Sequence, residues 1–431
     1  MTVADRPWLL AAAAVYLLVV MAIGAWSARR TRTPRDFWIA GQGIGLGVTG
    51  LATMSAAFSG FVFLGGPGLT YRLGLGSLMI VLPVGFTAGM LCWVVGGRLR
   101  ALAASDGVYT VPDALALRFG RRTAGLAALA VAAGSVAYLG LQFQAIGILA
   151  RTLLGIDSAW AATCVGIVVL VTYAVVGGMV AGVYTDVVQG GLMLVAAAAV
   201  FVHAVGTAGG WSAMLASIAG SERFGPAFLD PVGRTPAMTA LGFFFVFGIG
   251  VLGQPQMLHK FYMIDDPRKL RLMPLVLGGG QALCLLIWIG VGLAVPALVA
   301  QGRLAPLAVA DDAAPAYLLH FAPGALAGLV VAGILAAIMS TADSFLNIGA
   351  AALVRDLPRA AGRRVADELF WGRLAVVAVG GAAALLAWAY QDLIALLGAF
   401  AFGTFAAALA PALAVGLHWD RVGPRAASAS I

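Results

Sequence analysis

Ala337, Ser340, Thr341 and Ser344 stand at i, i+3, i+4 and i+7 within the run 332–347, which places them on one face of a helix. Two hydroxyl oxygens and a backbone carbonyl on that face are hard donors that suit a cation such as Na⁺, if unwound carbonyls of a second helix complete the shell. A stripe of small hydroxyl residues also holds membrane helices together, so the spacing alone leaves both roles open. Asp343 lies beside this face. An ionised carboxylate at the centre of a bilayer costs about 2.5–3.5 kcal/mol on insertion scales, so it needs a partner or a role.

Asp186, in Tyr184-Thr185-Asp186, opens another apolar run; it either faces water there or serves in gating or in holding a second cation. Gln142 and Gln144 point in different directions on a helix, so at most one of them enters a cavity, and Tyr138 lies one turn before Gln142. Phe61, Phe247 and Gln254 are further candidate cavity walls. Other chemistries find no support. The only lysines, Lys260 and Lys269, follow His259 and Arg268, so no Gly-Lys-Ser/Thr phosphate loop exists. No Ser–His–Asp or Cys–His pattern is present. His203, His259, His320 and His418 lack metal spacing and read as interfacial. Cys92, Cys164 and Cys284 fall inside apolar runs and imply neither a disulfide framework nor a zinc site. The chain therefore reads as a non-enzyme driven by an ion gradient, or passive. One charge moving down 100 mV releases about 2.3 kcal/mol, enough for about fifty-fold accumulation.

The elements that must position these residues are membrane helices. Of 431 residues, 62% are hydrophobic and 10% charged, against about 25% charged in a soluble domain. The mean hydropathy is +0.99. Eleven runs are long enough to cross a hydrocarbon core of about 30 Å: 8–28, 44–70, 75–97, 124–150, 158–177, 183–207, 237–257, 273–299, 324–353, 369–390 and 393–418. In lipid such runs are helices, because each must satisfy its own backbone. The first run carries its positive cluster after it and reads as a spanning helix, not a cleaved leader. The formal charge of +8 is spread in short clusters between runs, which orients helices rather than binding nucleic acid.

With the N-terminus outside, the inner segments hold Arg29, Arg30, Arg32, Arg35, Arg98, Arg100, Arg118, Arg121, Arg122, Lys260, Arg268, Lys269, Arg271, Arg355, Arg359, Arg363, Arg364, Arg373, Arg421 and Arg425. The outside keeps Arg6, Arg72, Arg151, Arg223, Arg234 and Arg303. The stretch from Arg355 to Asp367 reads as a solvated cytoplasmic loop, and the tail 421–431 as disordered. This places the chain in a cell membrane, in bacteria the inner membrane, with the C-terminus cytoplasmic. No obligate protein partner is evident; the partners are the lipid bilayer and a small solute.

Two runs are interruptible. The second contains Gly65-Gly66-Pro67-Gly68, and the seventh contains Gly248, Gly250, Gly253 and Gln254-Pro255. Pro removes a donor and Gly weakens a helix, and such breaks persist at depth only where buried or lining a wet cavity. The interrupted runs are five apart, which suggests two five-helix halves in inverted orientation and a site near the midplane.

Several segments then resemble the sodium/solute symporter family, which includes proline, pantothenate and sugar symporters. They are SAAFSGFVFLGGPG at 55–68, YAVVGGMVAGVYTDVVQ at 173–189, GQPQMLHKF at 253–261, AAIMSTADS at 336–344, and TVPD at 110–113 with RFG at 118–120. They occur in family order across 36–418. The resemblance implies an all-α membrane protein with a LeuT-type 5+5 inverted repeat. An extra N-terminal helix and loop would cover 1–35, the core 36–420 with repeats at 44–207 and 237–418, and the tail 421–431. It implies a Na⁺ site between the second and ninth spans, formed by backbone carbonyls of Ser55, Phe58 and Ala337 and the side chains of Ser340 and Thr341. Asp186 matches a family aspartate linked to cation coupling and gating.

Departures bear on the solute. Ala57 stands where the proline transporters carry an aspartate, and Gln42 replaces their arginine. Phe247 and Val251 replace their Trp and Tyr, and Phe61 replaces a sugar-contacting glutamine. A small apolar cavity follows, fitting a short carboxylate or an apolar amino acid better than proline or sugar. The expected activity is Na⁺-coupled symport by alternating access. A ligand sensor and a proton-coupled or uncoupled carrier are the alternatives.

Overall fold

The computed structural model describes residues 7–28, 33, 38–104, 108–156, 158–390 and 393–431. The first basic cluster, Arg29, Arg30, Arg32 and Arg35, lies outside them. Among the described residues the chain is helical, with one isolated bridge between Ile44 and Ile264.

The helices that position the site are α1 (Pro7–Ala28), α2 (Leu46–Ala57), α3 (Gly66–Leu73), α4 (Val84–Met90), α5 (Gly97–Leu102), α6 (Arg121–Leu154), α7 (Ala159–Thr207), α8 (Ala237–Gly248), α9 (Pro255–Phe261), α10 (Met273–Cys284), α11 (Leu286–Ala300), α12 (Gly324–Ala351), α13 (Glu368–Ala389) and α14 (Ile394–Ala410). Among the described residues seven stretches are long and apolar enough to cross a membrane, and α2 with its continuation 61–80 forms an eighth, bent by 52°. Trp160–Thr172 and Ala237–Gly248 are shorter apolar helices, and α4 to α5 runs on through a wider turn at Leu91–Gly96. Every expected span therefore has a helical counterpart.

Two expectations about continuity change. The runs 158–177 and 183–207 were expected as separate helices, yet α7 is helical throughout its 49 residues. No proline stands between 159 and 207, so nothing in the backbone forces a stop there. The second run does break, but at Phe58–Ser59, not at Gly65–Gly68. Phe58 leaves the helix with φ −105° and ψ 128°. Pro67 is accommodated because it opens α3 directly after a wide turn over Phe61–Gly65, where no intrahelical N–H is required of it. The neighbouring glycines serve close approach: a β-carbon on Gly66 would collide with the Trp288 ring.

The core centres on α12, buried without interruption from Val330 to Ala351. A helix apolar on all sides belongs inside a bundle, and α12 packs against α7, α6, α1 and α13. Its polar stripe of Ser340, Thr341, Asp343, Ser344 and Asn347 is consequently in the protein interior.

The charged stretch after α12 was expected to be solvated. It begins buried instead: Arg355 is 2% exposed, bonded to Asp113 and Glu368 at 3.0 Å each and stacked on Tyr109. Arg359 joins the same carboxylates at 3.6 and 3.3 Å. Leu357 to Ala360 are half-buried, and full exposure starts at Ala361. His259 is buried as well, whereas His320 and His418 are exposed. The tail forms a short helix, Pro424–Ala429, whose Ser428 shares a hydrogen bond with Thr123 at 2.8 Å.

Candidate cation and solute site

The break after α2 frees backbone oxygens and delivers them to α12. Ser340 Oγ lies 3.0 Å from Ser55 O and 3.2 Å from Ala337 O. Thr341 Oγ lies 3.2 Å from Phe58 O. Ser55, Ser340 and Thr341 are essentially fully buried. The carbonyl end of α2 points its negative dipole end into this spot. Five neutral oxygens thus converge from two helices, and each hydroxyl donates to a carbonyl at the positions where a small cation would draw both oxygens. Ser55 Oγ and Ser344 Oγ, beside them, are buried without a hydrogen-bond partner. The donor set, oxygen only and with no soft ligand, fits a hard monovalent cation.

The other end of the break is capped from α6. Gly60 N donates to Gln142 Oε1 at 3.1 Å, and Phe61 N donates to Ser59 Oγ at 3.1 Å. Gln142, expected as a cavity wall, gives its Oε1 to the broken backbone, as an orphan N–H at a buried helix start requires, while its Nε2 is buried without a partner. Gln254 is similarly committed. Its Nε2 donates to Gly250 O at 3.2 Å and Phe402 O at 3.0 Å, bridging the second break, where α8 passes through a tight turn to an extended Gln254 before α9.

Beside both breaks lies a small cavity of about 70 Å³, lined by Ala57, Phe58, Phe61, Tyr138, Phe247 and Phe402 among others. That volume corresponds to about two waters. Phe61, Tyr138 and Phe247 are therefore brought together as expected of a wall. Phe247 stacks on both Phe61 and Phe402, with centroids 5.5 and 4.4 Å apart, and Tyr138 stacks on Phe345. The cavity's polar groups were missed in the sequence: Gln256 and Gln281 line it, and their Oε1 atoms are buried without partners. Gln256 was legible as the residue following Gln254-Pro255. Gln281 carried no local signal.

Asp186 does not face water. Its Oδ2 accepts from Lys260 Nζ at 2.7 Å, and both side chains are 1% exposed. Lys260 is a third residue whose place in the site sequence reasoning passed over. Its flanks, Leu258 and Phe261, are fully buried, and that apolar setting was the available signal. Asp343 is 4% exposed, holds Asn347 Nδ2 at 3.1 Å, and lies within electrostatic reach of Asp186 and Lys260. Two carboxylates and one ammonium therefore share the interior on one side of the cation cradle.

The profile of the sodium:solute symporter family matches residues 37–431. The chain belongs to the sodium:solute symporter family. Symporters of this family are membrane transporters, not enzymes. Relatives include the high-affinity proline transporter PutP of Bacillus subtilis (strain 168), 28% identical, with 94% of this chain and 85% of that protein covered. The sodium/proline symporter of Haemophilus influenzae is 30% identical, covering 95% and 83%. That of Escherichia coli (strain K12) is 27% identical, covering 95% and 82%. Among solved structures, a Na⁺-coupled sialic acid symporter in a substrate-bound outward-open state superimposes with a TM-score of 0.82 at 18% identity, covering 97% of this chain and 88% of that one. MhsT in complex with L-phenylalanine gives 0.56 at 16% identity, covering 84% and 86%. This symporter-family chain thus has the LeuT-type fold.

Proposed function

We propose that the protein is a Na⁺-coupled symporter of a small organic solute, working by alternating access in a bacterial cell membrane with its N-terminus outside. The observation that carries this reading is the five-oxygen cradle between the broken second span and α12, with Ser340 Oγ 3.0 Å from Ser55 O and Thr341 Oγ 3.2 Å from Phe58 O. Na⁺ would be held by the carbonyls of Ser55, Phe58 and Ala337 and the hydroxyls of Ser340 and Thr341. Binding there straps the two helices together, so the ion favours one arrangement of the bundle over another. That differential affinity is what couples an ion to a conformational change.

The solute is assigned to the cavity beside the breaks, between Phe61, Tyr138 and Phe247, with Gln256 and Gln281 as its polar contacts. The aromatic walls favour a small, partly apolar molecule, either a short carboxylate or an apolar amino acid. The buried group of Asp186, Asp343 and Lys260 supports a second reading of the driving ion, a proton or further cation held there. The deciding experiment is thermal stabilisation of the purified protein by a solute library, with and without Na⁺. A compound that stabilises only in Na⁺ supports coupled binding. Stabilisation indifferent to Na⁺ removes the cradle from the mechanism and favours the proton reading.

A further inference from the structure

At the end of the bundle that the charge pattern assigns to the cytoplasm, a groove lies between the first turns of α6 and the C-terminal helix Pro424–Ala429. It encloses about 370 Å³ and is lined by Arg122, Leu126, Pro424, Arg425, Ser428 and Ala429, with no carboxylate. Arg122 and Arg425 are exposed, and among the described residues neither side chain has a hydrogen-bond or ion-pair partner. Asp420, five residues before Arg425, pairs with Arg118 at 3.5 Å and lies outside the lining. The larger groove that Arg121, Arg363 and Arg364 line differs, since it also holds Asp113 and Asp356.

The helices that form the groove are clipped together beside it. Thr123, next to Arg122, shares a hydrogen bond with Ser428 at 2.8 Å and donates to Pro424 O at 3.5 Å. That clip holds Arg425 over the groove that Arg122 enters. Beyond Arg122 the groove continues as an apolar strip. Arg122, Leu126, Leu129 and Ala133 follow at i, i+4, i+7 and i+11, which is one helix face. On it Leu129 is 55% exposed and Ala133 is exposed, whereas Ala127, Ala128 and Val131 on the same helix are buried. In a membrane span such a strip meets acyl chains. Trp419, just ahead of the C-terminal helix, is 56% exposed, as suits an aromatic side chain at headgroup level. Two guanidiniums at the membrane surface, continuous with an apolar strip, match a phosphate joined to a hydrocarbon chain. The arginine fork gives a phosphate two parallel donors.

We infer that this groove binds an anionic phospholipid, with the phosphate between Arg122 and Arg425 and an acyl chain along Leu126 and Leu129. The inference needs the chain to span a membrane and is independent of the ion and solute it carries. A zwitterionic lipid has the same phosphate but brings its own cation, which the two arginines repel.

The test uses the full-length protein, stripped of lipid and purified in a neutral detergent. Dioleoyl phosphatidylglycerol and dioleoyl phosphatidylcholine are titrated in, and bound lipid is counted by native mass spectrometry. Each arginine near a headgroup is worth about a fivefold gain in affinity, so the first phosphatidylglycerol is expected to bind about thirtyfold more tightly than phosphatidylcholine. That preference should fall about fivefold in Arg122→Gln and in Arg425→Gln, and vanish in the double variant. Arg122→Lys/Arg425→Lys, which keeps both charges, should retain most of it. Arg271→Gln removes an exposed arginine of the same face that lies outside the groove, and should leave the preference intact. Equal binding of the two lipids, or a preference that survives the double Gln variant, overturns the site. An equal loss in Arg271→Gln overturns it too, because the attraction is then spread over the whole basic face. Glycerol 3-phosphate at the lipid's concentration should displace no phosphatidylglycerol; displacement would mean that the groove takes a free phosphate ester and not a lipid. The double Gln variant should melt with the wild type in phosphatidylcholine and lack only the rise that phosphatidylglycerol gives. A lower melting temperature in both lipids would instead assign the two arginines to the fold.

Discussion

At the scale of single residues, the cradle and the buried ion pair make different demands. Ser340 and Thr341 contribute one oxygen each to the cradle, so Ser340→Ala/Thr341→Ala should raise the Na⁺ concentration for half-maximal uptake more than about tenfold, the two lost ligands together being worth more than the 1.4 kcal/mol of one decade. Unchanged sodium activation in that variant would remove the assignment. The stripe itself was legible, because i, i+3, i+4, i+7 spacing needs only the helix period. Its partners Ser55 and Phe58 were not, since a backbone carbonyl leaves no mark in a residue's identity; only the family resemblance named them. The Asp186–Lys260 pair was half legible. Both residues were visible, but that α7 and α9 bring them to 2.7 Å is a tertiary fact. Lys260→Met alone leaves a buried carboxylate unpaired, a loss of about 3–5 kcal/mol, whereas pairing it with Asp186→Leu should recover most of that. Thermal unfolding of both variants and the wild type in detergent checks this; equal destabilisation of single and double variants would mean the pair contributes no net coupling.

At the scale of elements, the lesson concerns where helices break. Gly65-Gly66-Pro67-Gly68 looked like the weak point because propensity is local. The break instead falls at Phe58–Ser59, where a glutamine from α6 and a threonine from α12 take up the freed groups. The seventh-span break was legible because Gly253-Gln254-Pro255 carries both its turn and its new start. Gln142→Leu should therefore act on the break and not on solute contact. It strands the Gly60 N–H in the interior, with a stability loss of about 1–3 kcal/mol, while Gln142→Glu, which retains an acceptor, should lose less. Similarly, Gly66→Val forces a side chain into the Trp288 ring, an overpacking loss of about 1–3 kcal/mol. Both are measurable as shifts in the thermal transition, and a neutral Gly66→Val would show that α3 and α11 have room to separate.

At the scale of the whole molecule, hydropathy and run length were enough to read an all-helical membrane bundle. They could not tell which charges would be internal, since Arg355 and Arg363 look alike in sequence, yet the first is clasped by Asp113 and Glu368 and the second is exposed. The proposed orientation is checked by cysteines at Ala308 and Arg363, with Cys164 removed: an impermeant thiol reagent added to intact cells should label the first and spare the second, and the reverse pattern inverts the topology. Asp186 and Lys260 are sealed from solvent and pair across α7 and α9. Neither charge tolerates an apolar gap, so the helices separate only as fast as water can fill the space between them. If this pair forms the proposed inner gate, the gate is dry when closed and its hydration is expected to be the slow coordinate of the cycle. Deuterium exchange along Pro255–Phe261 should accordingly be slow in the wild type and markedly faster once both charges are replaced by Leu and Met; identical exchange in the two would place the barrier to opening somewhere other than in the wetting of this pair.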